Sequence, residues 1–166
     1  MADHNENNDR RPPKKLFGLL SRDSVRAKLN ANDWIEAAHL VGDVLVNAGD
    51  IEPRYVEALI NIIKDVGPYP VIAPGLVLLH SRPEDGVINP CIALVTLRTP
   101  VNFGHSENDP VDIVFALGAV DKNSHIGGLK LIADFLSEEG SIESLRKPET
   151  DEDLFKVFLS WEKKIH

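Results

Sequence analysis

The feature that most constrains this chain is a double change of hydrophobic period. Ala37, Ala38, Val41, Val44, Leu45 and Ala48 recur at helical spacing, as do Val56, Leu59, Ile60 and Ile63. From Tyr69 onward the apolar residues gather into short runs, Tyr69–Ile72, Leu76–Leu79, Ile92–Leu97 and Val111–Val120, the pattern of strands. Ile126, Leu129, Ile132, Ala133 and Leu136 then restore the helical period, followed by a short helix around Ile142–Leu145 and a last one carrying Leu154, Val157, Phe158 and Trp161. Helices before and after a central set of strands predict a sheet with helices packed on both faces.

Local signals fill in this outline. The alternation of Val25, Ala27 and Leu29 with Ser24, Arg26 and Lys28 predicts a half-buried strand ahead of the first helix. Asn32 is the expected cap of that helix and Gly49 its stop, Pro53 suits the first turn of the second helix, and Gly67-Pro68 ends it. Residues 98–110 read as a loop from their Pro, Gly and Asn content, and the unbroken apolar run 111-VDIVFALGAV-120 reads as a strand covered on both sides. Thr150 is the expected cap of the last helix.

Residues 1–15, polar and then basic with Pro12 and Pro13, read as a disordered tail, leaving 16–166 as one domain. No apolar run approaches the roughly 18 residues of a membrane span, so no direct membrane insertion is expected. The net charge of −8 argues against nonspecific nucleic-acid binding, which needs clustered Lys and Arg. The single cysteine, Cys91, can form no internal disulfide and reads as a small buried hydrophobe, which fits a reducing, cytoplasmic setting.

The chemistry concentrates in 70-PVIAPGLVLLHSRPEDGV-87. His80 stands where an apolar run meets a polar turn, a position that combines rigid support with access, although it also suits a purely structural histidine. A neutral imidazole offers a nucleophilic nitrogen near neutral pH while its other nitrogen can donate a hydrogen bond. Arg82, two residues on, could neutralise an arriving phosphate with its planar fork. His125, in 117-LGAVDKNSHIGGL-129, follows the apolar strand and falls in the first turn of the next helix. There it could donate to the same anion beside free helix amides, or simply face solvent. His105 lies in a polar loop and reads as a surface residue. A zinc site built from His80, His105 and His125 lacks the HxH or HxxxH spacing that would support it. No P-loop, dinucleotide fingerprint or serine elbow occurs, and Gly127-Gly128 suits close packing better than a nucleotide loop.

The string VIAPGLVLLHSRPEDGV resembles the active-site segment of the mannitol/fructose-type enzyme IIA domains of bacterial sugar phosphotransferase systems. The likeness continues through 93-ALVTLRTPVNFGHSENDPVDIVFALGAVDKNSH-125 and extends from about Leu20 to Trp161. Within that family, 67-GPYPVIAPG-75, SRPEDGV and 104-GHSENDPVDI-113 are most similar to the branch serving L-ascorbate. The resemblance implies an α+β domain of three α/β/α layers around a mixed sheet. It implies that His80 accepts phosphate from the phosphocarrier protein HPr and passes it to a IIB partner, a cysteine in the ascorbate branch, for sugar entering through a membrane IIC protein. It implies that His125 helps hold the phosphate and that no metal or other cofactor takes part.

Two positions depart from the family pattern. Leu79 stands where the family usually has proline, which removes a backbone constraint and adds an N–H. Mannitol-type members carry an arginine late in the second helix, where this chain has Lys64. These departures leave a second reading, a regulatory member of the family that binds a target protein according to the phosphorylation state of His80.

Overall fold

The structure, a computed structural model, describes residues 19–165. The expected tail, residues 1–15, lies outside them. In chain order the elements are strand β1 (Leu20–Leu29), helices α1 (Trp34–Asn47) and α2 (Pro53–Val66), strands β2 (Val71–Ala73) and β3 (Leu76–His80), a single 3-10 turn at Pro83–Asp85, strands β4 (Cys91–Val101) and β5 (Val111–Gly118), and helices α3 (Lys122–Leu136), α4 (Ser141–Arg146) and α5 (Asp151–Ile165).

The five strands form one sheet in the order β1-β4-β5-β3-β2. β1 runs parallel to β4, β4 antiparallel to β5, β5 parallel to β3, and β3 antiparallel to β2, so the sheet is mixed. Both faces of its centre are dry. Val77, Leu79, Cys91, Ala93, Val95, Val114 and Ala116 pack into the layer of α1 and α2, and Leu76, Leu78, Ile92, Leu94, Ile113, Phe115 and Leu117 into the layer of α3, α4 and α5. Successive side chains on a strand point to opposite faces, so continuous apolar runs are what such a position demands. Each fully buried Leu, Ile or Phe side chain contributes about 1.5–3 kcal/mol by leaving water. Cys91 is one of these fillers and is fully buried.

The expected three-layer α+β architecture is thus the observed one, with local corrections. The cap of α1 is Asp33, whose carboxylate accepts from the Glu36 amide; Asn32 lies one residue outside. Four residues predicted as loop, 98–101, continue β4, because Val101 still pairs with Val111 across the sheet. In α3 the buried stripe is Gly128, Ile132 and Phe135, leaving Ile126 and Ala133 outward. Lys28 adopts φ 56° and breaks the alternation of β1, so that Val25 and Ala27 face one layer and Leu29 packs against the other. Thr150 does cap the last helix, accepting from the Asp153 amide.

Candidate functional site

The carboxyl ends of β3 and β5 lie side by side, with His80 in register with Leu117. β3 ends at His80 because the chain turns at Pro83, and Gly86 closes that turn with φ +131°, a backbone conformation that favours glycine. The turn is pinned from outside. The Glu52 amide donates to the Gly86 carbonyl at 2.8 Å, and Ile51 bridges to Val87. Beyond β5, Asp121 caps α3 by accepting from the Ser124 amide, which places His125 in the first helical turn. This capping amide and the Ser124 hydroxyl hold the Asp121 carboxyl below its usual value.

The two imidazoles meet here, their ring centroids 5.7 Å apart and their planes inclined by 51°. His80 is half-buried. Its Nδ1 lies 3.1 Å from the Leu78 carbonyl, which can only accept, so Nδ1 carries the proton and Nε2 keeps a free lone pair. Burial lowers the His80 pKa below the ordinary 6.5; the Leu78 carbonyl partly opposes this, and His125 adds a smaller depression. At neutral pH the ring is therefore neutral, with a fixed tautomer and a free Nε2 lone pair.

Both histidines open onto a cavity of about 690 Å³. One wall is the outer face of α2 with the chain after it, from Ala58 to Tyr69; the other is Ser81 to Pro83, Asp85, Asp121 and Lys122. Arg82 reaches the rim, but its guanidinium is largely exposed and faces Glu84 at 3.5 Å and Asp85 at 3.6 Å. Asp85 in turn accepts from the Ser81 hydroxyl at 2.5 Å and the Arg82 amide at 3.2 Å, and the Ser81 bond above all holds its carboxyl below the usual value. The fold thus gathers His80, His125 and Arg82 into one site. His105 lies at the opposite end of the sheet, in the β4–β5 loop, where its Nδ1 accepts from the amides of Glu107 and Asn108. Among the described residues no cluster of three or more His, Cys, Asp or Glu side chains is placed to hold a metal ion.

Two positions look different once folded. Lys64 is exposed and is not part of the cavity wall, whereas Lys122, overlooked in the sequence, is. Lys122 is the first residue of α3, and proximity to His125 in the sequence was the available signal. Leu79 is fully buried in the α1/α2 layer and pairs with Ala116 within the unbroken register from Leu76 to His80, so ladder and packing hold the backbone at the position where the resemblance led one to expect proline. Tyr55, fully buried behind the site, was not singled out in the sequence, where it merely precedes the stripe of Val56, Leu59, Ile60 and Ile63. Gly128 meets its expectation: a Cβ there would stand 2.4 Å from Leu117 Cδ1, so α3 packs directly on β5.

A neutral histidine at the end of a sheet strand, faced by a second histidine at a helix N-terminus, is an arrangement suited to holding a transferred group on an imidazole nitrogen. A family model described as phosphoenolpyruvate-dependent sugar phosphotransferase system, EIIA 2, matches residues 18–161, and the chain belongs to this family. An ascorbate-specific PTS system EIIA component of Salmonella typhi is 42% identical over 137 residues, 82% of this chain and 89% of that protein. The ascorbate-specific EIIA component of Escherichia coli K12 is 40% identical over the same shares. Among solved structures, the mannitol-specific cryptic phosphotransferase enzyme IIA CmtB from Escherichia coli superposes with a TM-score of 0.75 at 27% identity, covering 84% of this chain and 94% of that one. Among the described residues no helix is long and apolar enough to cross a membrane.

Proposed function

We propose that His80 is the residue that carries the phosphate, receiving it from phosphorylated HPr and handing it to a IIB component for the uptake, through a IIC protein, of L-ascorbate or a closely related sugar. The observation that carries this reading is the bond from His80 Nδ1 to the Leu78 carbonyl, which leaves Nε2 unprotonated in a cavity shared with His125. Nε2 attacks phosphorus in line, the N–P bond forms as the bond to the donor breaks, and the positive charge that develops on the ring is stabilised through Nδ1–H by the Leu78 carbonyl. No proton has to leave. His125 donates to the phosphoryl oxygens, while Lys122 at the first turn of α3, and Arg82 at the rim, neutralise their charge. The acidic chain has to supply this positive field locally.

The rim suits transient partners. Val66, Tyr69 and Ile126 are exposed large apolar residues close to the site, Val66 being 71% exposed. Such a patch favours docking of a second protein, and a carrier must dock two in turn. The ascorbate reading rests on the identity to the ascorbate-specific relatives, and cytoplasmic location fits both the family and the lone, buried Cys91. The test is incubation of the full chain with HPr, its kinase and phosphoenolpyruvate, followed by intact mass at alkaline pH. One phosphate on the unsubstituted chain and none on His80→Ala is the expected result; a stoichiometric acid-labile phosphate on His80→Ala would sink the assignment.

A further inference from the structure

Tyr55 does not line the cavity, yet its hydroxyl occupies the point where the two site-bearing strands end. The residue is fully buried in the first turn of α2. Its Oη donates to the Leu117 carbonyl at 2.8 Å and accepts from the Ser81 amide at 2.8 Å. Leu117 is the register partner of His80, and Ser81 is the residue directly after it. One hydroxyl therefore ties the chain leaving His80 to the strand whose continuation, four residues on, caps α3 and carries His125. A buried hydroxyl is costly unless paired, and a phenylalanine would fill the same space without it. Burial raises the phenol pKa beyond its ordinary range, so the group stays protonated and able to donate. The partners of this hydroxyl are backbone groups at the site, which core filling alone does not require.

We propose that Tyr55 is a positioning residue for phosphoryl transfer: by clamping the Ser81 amide to the Leu117 carbonyl it fixes His80 against His125. The inference rests on the phosphocarrier reading of His80. Without the clamp, the segment after His80 has no hydrogen bond to the end of β5 through this group, and the angle at which Nε2 meets an incoming phosphoryl group is less sharply set. In-line transfer depends steeply on that geometry, so Tyr55→Phe is expected to lower the maximal rate roughly tenfold in both directions of transfer. Docking residues are untouched, so KM for phospho-HPr should stay within about twofold, whereas a general loss of structure would move both constants.

The experiment compares the full unsubstituted chain with Tyr55→Phe by rapid-quench loading from phospho-HPr, with circular dichroism to verify folding. A lowered kcat at unchanged KM supports the inference. Equal kcat in a folded variant overturns it while leaving the phosphocarrier reading intact. An unsubstituted chain that takes no phosphate overturns that reading and this inference with it. Should Tyr55→Phe not fold, amide exchange at Ser81 in the unsubstituted chain decides. Protection comparable to the β3 amides supports the clamp, and exchange as fast as in the exposed turn after it overturns it.

Discussion

His80 and His105 stand at opposite ends of the central sheet, both half-buried and both with Nδ1 engaged by backbone. The partners differ in kind. At His80 the partner is a carbonyl, so Nδ1 holds the proton and Nε2 is the free base. At His105 the partners are two amides, so Nδ1 must accept and the neutral ring carries its proton on Nε2. The surroundings follow suit. Around His105 the polar groups are turned on one another: the Asp109 carboxylate accepts from the amides of Phe103, Gly104 and His105, and nearby Arg146 binds Asp112 at 2.8 Å. At the His80 end the cavity stays open and its rim exposes apolar side chains. The same residue type thus offers a free Nε2 base beside an open cavity at one end and is a loop staple at the other, and the backbone group that meets Nδ1 makes the difference.

The sharpest way to break this comparison is to delete each ring. His80→Ala should abolish phosphate acceptance, and His105→Ala should leave it complete, both read by intact mass at alkaline pH. Any dependence of loading on His105 would undo the contrast. Next in size is His125→Ala, which removes one donor to the phosphoryl oxygens; a loss of roughly a hundredfold in rate is expected, with acceptance still reaching completion. Quench-flow traces that superimpose on the unsubstituted protein would remove His125 from the site.

Asp109→Ala addresses the other end. Three amides lose their acceptor, which should cost about 1–3 kcal/mol in urea unfolding while phosphate transfer at 25 °C is unchanged. A matching loss of transfer would show that the two ends are coupled. The smallest effect is a displaced titration. Burial lowers His80 below 6.5, so an NMR titration of its ring should have its midpoint under that value, and the acid limb of phosphate acceptance should follow it. As pH falls below 6.5 the unfolded chain takes up this proton first, so stability is intact above 6.5 and declines until the lowered value is reached. A midpoint at or above 6.5 would contradict the buried, neutral ring.

Much of this molecule was legible in advance because hydrophobic period is a local property. The runs at Leu76–Leu79, Ile92–Leu97 and Val111–Val120 announced strands, the last of them covered on both faces, and the helical stripes announced the layers that cover them. Boundaries were less legible. Arg98 to Val101 carry loop-like residues but extend β4, because pairing with Val111 outweighs their composition. Ile126 fitted the α3 stripe by spacing yet faces outward, because the close approach of Gly128 to Leu117 sets the rotation of that helix.

At the site, the sequence by itself picked out His80, His125 and Arg82, since their residue types and flanking turns are visible in one dimension. What only tertiary structure decided was their state and their support. The tautomer of His80 depends on where the Leu78 carbonyl lies, the exposure of Lys64 and the placement of Lys122 depend on how α2 and α3 flank the cavity, and Tyr55 reaches Ser81 and Leu117 across 26 and 62 residues of chain. Hydrogen bonds over such separations have no signature in spacing or composition, because they exist only once the sheet has brought the ends of β3 and β5 together.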